Sequence, residues 1–423
     1  MNPIIAKEQC RVCRSRDLVP LFSLGEQFVS DFVSADQITA GVRAPLCLDL
    51  CRECTLVQLR HTAPQELLYA RHYWYRSGVT QSMRDALADV CRTVEQRAEL
   101  KSGDVVCDVG SNDGTLLRSY AVPGLIRVGV EPATNLADEG RQGIDWLDTS
   151  FWPSSDYLGR YAGHTRAVTA CGMFYDLDEP GAFIRGVAEA LAPDGLFVAQ
   201  LMCLKQTVEK KDVGNICHEH LEFYSLRSLL RLFNDNGLEL YDLEENTVNG
   251  GSYRLFARKA GYRSIQTRKL KNAMAREAEM GLDNPELYRG FFDELRAAKR
   301  KVVDFVLNVV GSGGRVHVYG ASTKGNVILQ WFNLGSRQIE AAVERTPSKW
   351  GKYTIGTGIH IISEDVFRTM NPEYAIILPY AFESEMVARE ALWLKSGGRF
   401  ILPLPIPRIV DAGPDGAPRS TPL

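Results

Sequence analysis

Several features are scarce in this chain, and each scarcity excludes a class. No apolar run approaches the roughly eighteen residues that a membrane-spanning helix needs, and Met1–Lys7 has no basic region, apolar stretch or small-residue cleavage site of a secretory leader. Charge of one sign is also missing. The 49 Lys and Arg stand against 52 Asp and Glu, a net charge of −3, and the pI is near 6.2. That gives no basic field for nucleic acid, and 45% apolar residues argue against wholesale disorder. The glycine loops do not follow GxGxxG, which speaks against a dinucleotide fingerprint. The expected setting is therefore the cytoplasm and the expected partner a small molecule, with no nucleic acid, no membrane and a monomeric chain. At 423 residues, two or three compact domains are expected.

Cysteine is not scarce, and its placement is informative. Ten cysteines in a reduced compartment read first as metal ligands or reactive groups. Four fall as Cys10-Arg-Val-Cys13 and Cys51-Arg-Glu-Cys54, and each pair can set two thiolates on one turn of a tetrahedral zinc site. With four thiolates the metal has no open position, so its expected role is structural. Cys47 is expected to be a packed neighbour. The segment between the pairs, with Pro20, Leu21, Phe22, Leu24, Gly25 and Phe28, fits a small β-rich module with little core of its own.

After an aromatic segment (Tyr69, His72, Tyr73, Trp74, Tyr75), helical spacing predicts an amphipathic helix from about Met83 to Leu100. From Asp104 the pattern becomes short β-branched runs alternating with helical stretches, the signature of a covered parallel sheet. Strands are predicted at Val105–Val109, Arg127–Val130, Ala167–Ala170 and Leu196–Leu201, with a helix over Thr115–Tyr120. The first strand ends in Asp108 and runs into Gly110-Ser-Asn112-Asp113-Gly114, a small-backbone loop ahead of a helix that can approach a ligand closely. Glu131, followed by Pro132, ends the next strand, where a carboxylate can accept both ribose hydroxyls of a nucleoside. Together these favour a methyl-donor site over a nicotinamide site. Ser264 to about Val310 reads as long helices broken near Gly281 and Pro285. A second strand, glycine loop and helix series then starts at Arg315–Gly320, with strands at Ile339–Val343, Gly358–Ile362 and Tyr374–Leu378. The tail beyond Pro403 is expected to fray.

The cysteine pairs, DVGSNDG, EPA, Cys217-His218-Glu219-His220 before Leu221-Glu-Phe-Tyr-Ser225, Asn249-Gly250-Gly251-Ser252 and Tyr319-Gly-Ala-Ser-Thr-Lys324-Gly-Asn326 occur in one order over nearly the whole chain. In this the chain resembles the zinc-containing, S-adenosylmethionine-dependent sugar C-methyltransferases, which methylate carbon 3 of nucleotide-linked 4-keto-6-deoxyhexoses. The resemblance implies an α/β protein: an N-terminal zinc module, a central Rossmann-like class I methyltransferase domain and a C-terminal Rossmann-like domain that helps bind the nucleotide sugar. The corresponding boundaries are 1–70, 71–260, a helical connector at 261–310, 311–410, and a tail at 411–423.

The same resemblance implies roles for individual residues. His220 matches the base, Glu219 the adjacent carboxylate, and Tyr75 a tyrosine near donor and substrate; Cys217 and His218 complete the segment. If extended, that segment would face Cys217 and Glu219 one way and His218 and His220 the other. Asp108, Gly110, Asn112, Asp113, Gly114, Glu131, Pro132, Cys171 and Met173 are the expected donor contacts. Asn249, Gly250, Gly251, Ser252, Tyr319, Lys324, Asn326, Glu344, Lys349 and His360 are the expected acceptor contacts. Cys217 stands where the family often has tyrosine and Asn249 where it commonly has histidine, which leaves methylation at another position, such as carbon 5, open. A nicotinamide-dependent sugar oxidoreductase and a catalytically silent zinc scaffold are the remaining alternatives.

Overall fold

The computed structural model describes residues 4–64, 68, 73–262 and 265–423; Tyr69 and His72 of the aromatic segment lie outside these. The chain forms two compact units. The first gathers residues 1–20, 49–205 and 219–284, and the second 21–48, 206–218 and 285–423.

In the first unit, strand β1 (Val57–Leu59) follows the second cysteine pair, and helix α1 (Gln81–Ala98) lies where helical spacing predicts it. Thr80 caps α1 by accepting the Met83 amide, and Glu99 ends it in a left-handed conformation. A seven-stranded sheet then builds from β2 (Val105–Val109), β3 (Ile126–Val130), β4 (Trp146–Asp148), β5 (Thr165–Cys171) and β6 (Leu191–Met202). Beyond the short β7 (Glu222–Phe223) and helix α2 (Leu226–Asp235), β8 (Leu238–Asn246) and β9 (Ser252–Lys259) complete it. The order is β8-β9-β6-β5-β2-β3-β4. β2 to β6 run parallel, and β9 is antiparallel to both β6 and β8. All five residues of β2 are buried, as expected for a central strand covered on both faces. On one face, Leu87, Val90, Cys91 and Val94 of α1 pack against Val106, Ala167, Leu196 and Phe256. On the other, Cys10, Val12, Cys51, Cys54 and Leu56 join Phe174, Phe183, Phe197, Tyr224 and Phe233. The cysteine module thus borrows the core it lacks. Helix α3 (Arg268–Met280) closes this unit.

The second unit holds α4 (Pro285–Gly311), separated from α3 at the expected Gly281–Pro285 break. Its seven-stranded sheet comprises β10 (Val316–Tyr319), β11 (Ala342–Val343), β12 (Ile361–Ile362), β13 (Tyr374–Ile377), β14 (Arg399–Leu402), β15 (Arg408–Ala412) and β16 (Pro418–Pro422). Helix α5 (Thr323–Phe332) follows β10. The order is β12-β11-β10-β13-β14-β15-β16, with β10 to β14 parallel and the last two antiparallel. The tail therefore does not fray. Gly416 takes φ +78° and the Asp411 carboxylate pairs with Arg419 at 2.8 Å, so the proline-bearing β16 docks as an edge strand, where a missing amide costs no ladder bond.

Candidate active site

The four cysteine sulfurs of the two pairs lie within 4.8 Å of one another. Cys10 approaches Cys54, and Cys13 approaches Cys51, at 3.5 Å. A tetrahedron with Zn–S of about 2.3 Å has edges of roughly 3.8 Å, so the cluster fits zinc. The two turns repeat each other. Arg14 and Thr55, the residues after each pair, both take left-handed conformations (φ 62° and 61°), and their amides donate to the carbonyls of Cys10 and Cys51. The neighbouring Cys10 and Cys54 thiols hold Cys51 below the ordinary thiol range, while Cys10 and Cys54 are pushed up. A divalent cation would supply the charge that lets four crowded sulfurs ionise together. Cys47 stands apart, its thiol on the Ser23 hydroxyl.

The glycine loop leaves the C-terminal end of β2. The Gly110 amide bonds to the Val130 carbonyl, and φ is +73° at Gly110 and +77° at Gly114. A Cβ on Gly110 would stand 2.7 Å from Cγ of Met173, and one on Gly114 would stand 2.9 Å from the Gly140 carbonyl, so both need glycine. Glu131 accepts the amides of Asn112 (2.9 Å) and Ala133 (2.8 Å), with Pro132 half-buried between its ends. Burial nevertheless raises its carboxyl above the usual range. Burial also lifts Asp108 to about 7, opposed by the Thr169 hydroxyl at 2.6 Å and assisted by Glu131. Two buried acids with raised values beside a glycine cradle suit a cationic nucleoside, whose charge relieves the cost of ionising them. Cys171 ends β5, and burial pushes its thiol up.

Residues 73–78 are fastened to this loop by their backbone. The Tyr73 amide and carbonyl pair with the Asn135 side chain. The Asn112 side chain donates to the Tyr75 carbonyl and accepts the Ser77 amide, and Asp113 accepts the Gly78 amide. Tyr75 is 49% exposed. Tyr73 is the phenol set among acids: burial, then the charges of Asp176, Glu219 and Glu131, push it well above its ordinary value. Neither Tyr73 nor Asp176 is among the site residues expected from sequence. The FYD run after β5 and the Tyr-Trp-Tyr cluster were the only signals, and neither has a chemical spacing.

Residues 217–220 form a turn and not the extended stretch considered above, so the alternating directions do not apply. His220 is 8% exposed and stands edge-on to Tyr175, ring centres 4.5 Å apart. The Tyr175 carbonyl accepts the amides of Leu221 (2.8 Å) and Glu222 (3.1 Å), which ties the His220 segment to the turn after β5. Asn249, Gly250 and Gly251 all have positive φ in the β8–β9 turn, and the Ser252 hydroxyl closes it on the Val248 carbonyl. The glycine loop, Glu219, His220 and this turn belong to the first unit.

Cys217 and His218 belong to the second unit and are buried; the His218 Nε2 lies 2.9 Å from the Ala44 carbonyl, and burial lowers this histidine to about 4. In the same unit, Ser322 caps α5, Lys324 reaches Asn215 Oδ1 at 2.5 Å, and Lys349 bonds Glu344 and the Ala321 carbonyl. Asn326 is 1% exposed and neither of its amide atoms is hydrogen-bonded. The Tyr319 hydroxyl is committed to Glu364 and Glu390, and His360 is exposed beside Tyr353.

A parallel sheet in this order, a glycine cradle followed by a strand-end acid, and a thiolate cluster on the same unit define a zinc-bearing methyltransferase. Three family models match: a zinc binding domain over residues 10–69, a methyltransferase domain over 81–243 and the C-methyltransferase C-terminal domain over 247–405. The chain is 32% identical to the C-methyltransferase NovU of Streptomyces niveus across 96% of its own length and 97% of NovU. It belongs to the C-methyltransferase family and is an S-adenosylmethionine-dependent enzyme. Among solved structures it is partly similar to magnesium protoporphyrin IX methyltransferase (ChlM) from Synechocystis PCC 6803 with bound SAM (16% identity, 42% of this chain and 79% of that one, TM-score 0.32). A methyltransferase from Clostridium acetobutylicum ATCC 824 gives 11% identity, 42% and 92% coverage, and a TM-score of 0.34. Among the described residues, no helix is long and apolar enough to cross a membrane.

Proposed function

We propose that this enzyme methylates carbon 3 of a nucleotide-linked 4-keto-6-deoxyhexose through an enolate, in branched deoxysugar biosynthesis, with His220 as the base. One observation carries this reading: His220 is a nearly buried imidazole, oriented by Tyr175 and adjoining Glu219, in the unit that bears the donor loop. A carbon acid beside a ketone needs a base in reach of its proton and a donor for the enolate oxygen. His220 takes the carbon-3 proton, and the electron pair left behind delocalises onto the carbon-4 oxygen. Tyr73, raised by burial and then by neighbouring acids and so kept as a neutral phenol, is suited to donate a hydrogen bond to that oxygen. S-adenosylmethionine supplies the electrophilic methyl on a sulfonium. Gly110 to Gly114 admit its backbone-proximal atoms and Glu131 receives its ribose hydroxyls. In the second unit Lys324 is assigned to the diphosphate of the nucleotide, and Asn326, Glu344 and Lys349 to its sugar, base or phosphate. Asn326 supports this assignment, as a buried amide with both ends unsatisfied is costly without a ligand.

The test incubates the enzyme with S-adenosylmethionine carrying a deuterated methyl group and a panel of nucleoside-diphosphate 4-keto-6-deoxyhexoses, with wild type and His220→Asn side by side. Labelled methyl on carbon 3 is expected. His220→Asn should lose about 10²–10⁴ in kcat and the solvent exchange of the carbon-3 proton, while donor affinity stays within about twofold. Label on carbon 5 would move the site of attack. Full exchange in His220→Asn would remove it from the role of base.

A further inference from the structure

The metal-binding turn contains a side chain that the mechanism above does not use. Arg11 lies between Cys10 and Cys13 and is 1% exposed. Its backbone amide donates to Oε1 of Gln58 at 2.9 Å, whose own amide returns to the Gln9 carbonyl. Its guanidinium donates to the Leu59 carbonyl (2.5 Å) and the Thr62 hydroxyl (2.8 Å), and reaches Asp178 at 3.4 Å and Glu222 at 3.9 Å. Thr62 in turn donates to Asp178, which also holds Lys7.

Those two carboxylates sit on either side of the His220 support. Glu222 is two residues after His220, its side chain has no exposure, and its strand pairs antiparallel with β1, Glu222 opposite Gln58. Asp178 ends the turn whose Tyr175 packs on His220 and accepts the Leu221 and Glu222 amides. The Leu221 carbonyl accepts the Leu59 amide. One buried cation in the metal knuckle is therefore the common reference for β1, for the Tyr175–Asp178 turn and for the strand leaving His220.

We propose that Arg11 is a positioning residue for methyl transfer: through Glu222 and Asp178 it sets where the His220 imidazole stands, so that the metal centre governs the geometry of the base as well as the stability of the fold. This rests on the reading of His220 as the base. The physical argument is that Arg11 is itself a buried charge held by the Leu59 carbonyl, the Thr62 hydroxyl and Asp178, with Glu222 packed against it; removing it leaves those buried acceptors unpaired and frees the strand and turn that flank His220 to move. A displacement of about 1 Å at a base is enough to cost 10²-fold in rate.

The test compares Arg11→Lys, Arg11→Met, Glu222→Gln and the double variant Arg11→Met/Glu222→Gln with wild type. Bound zinc, calorimetric donor affinity, long-range ¹H–¹⁵N spectra of the His220 ring, and kcat and KM on a nucleoside-diphosphate 4-keto-6-deoxyhexose are measured. With one zinc and donor affinity within twofold of wild type, Arg11→Met is expected to lower kcat at least tenfold at little-changed KM and to shift or broaden the His220 signals. The double variant Arg11→Met/Glu222→Gln should lose less than the product of the two single losses in kcat, because both side chains act through one contact; fully multiplicative losses would overturn the route through Glu222. Unchanged kcat and His220 signals in Arg11→Met, with only the melting temperature lowered, would leave Arg11 a structural residue and overturn the proposal. If Arg11→Met loses zinc or does not fold, Arg11→Lys and Glu222→Gln decide: kcat and ring signals unchanged in both overturn it. If wild type transfers no methyl to the sugar, the acceptor reading fails, and the His220 ring signals alone decide the positioning role.

Discussion

Glu277 gives the first unit a stability that falls as pH rises. Its side chain, on α3, is 5% exposed; one oxygen accepts the Leu226 amide at the start of α2 (2.7 Å) and the other the Tyr253 hydroxyl (3.0 Å). Burial, opposed by those two bonds and by Lys205, lifts the carboxyl from 4.5 to about 7. A group that holds its proton more tightly folded than unfolded stabilises fully below its unfolded value, and that contribution is lost as pH climbs through the folded one. The window is thus pH 4.5 to 7, and at ~1.36 kcal/mol per unit the loss is about 3 kcal/mol. Glu277→Gln keeps an acceptor for the Leu226 amide and turns an N–H toward the Tyr253 oxygen, so it keeps the bonds without the titration. Urea unfolding of both proteins between pH 5 and 8 measures the difference, which cancels the titrations the two proteins share, that of Asp108 among them. The variant should gain about 2–3 kcal/mol on wild type across that range. Parallel stability curves would refute the reasoning.

Three further outcomes are expected. Glu131→Gln sets an amide N–H against the Asn112 or Ala133 N–H and should weaken S-adenosylmethionine binding by about 1.5–3 kcal/mol in calorimetry, with unchanged affinity removing Glu131 from the donor site. Gly110→Ala meets both a positive φ and Met173, at a cost of about 1–2 kcal/mol for the backbone alone; donor affinity should fall at least tenfold, and a wild-type value would mean that the loop does not hold the donor. Cys51→Ser, or prolonged chelation of wild type, should release the metal by elemental analysis and lower the melting temperature by several degrees. Retention of one zinc by Cys51→Ser would show that the four thiols are not its ligands.

What was legible in sequence is what short spacing controls. Cys10 to Cys13 and Cys51 to Cys54 announce two knuckles because a CxxC pair closes on itself, and β2, the Gly110–Gly114 turn and Glu131 follow one another within a single strand, loop and strand. The long helices around Gly281 and Pro285 were legible for the same reason. The turn at residues 217–220 was not: periodicity reads HEH as readily as strand, and what bends it is the Tyr175 carbonyl, far off in sequence, taking the two following amides. Nor was Tyr73, which nothing local distinguishes from Tyr75 two residues on; only the folded chain puts the charges of Asp176, Glu219 and Glu131 around it. The docked tail shows the converse error. A composition rich in proline and glycine marks an edge strand and its turn as well as it marks disorder.

With His220 as the proposed base, the distance in sequence between the parts of its support gives a structural metal a part in a methyl transfer that needs none. The Gly110–Gly114 loop is assembled from neighbours, so its geometry is set once β2 and β3 pair. His220 packs on Tyr175, the residues after it bond to Tyr175 and β1, and Glu222 lies against Arg11 of the knuckle; these segments stand 45, about 160 and 209 residues from His220 in the chain. Bringing such segments together costs loop-closure entropy, and a module too small to bury its own core cannot meet that cost by packing alone. Four thiolates on one zinc close the 37 residues between the pairs and fix where β1 begins, so that β7 finds a rigid partner. On this argument the metal acts on acceptor chemistry through the placement of β1, and donor binding, whose contacts do not pass through the knuckle, is the step least affected by its loss.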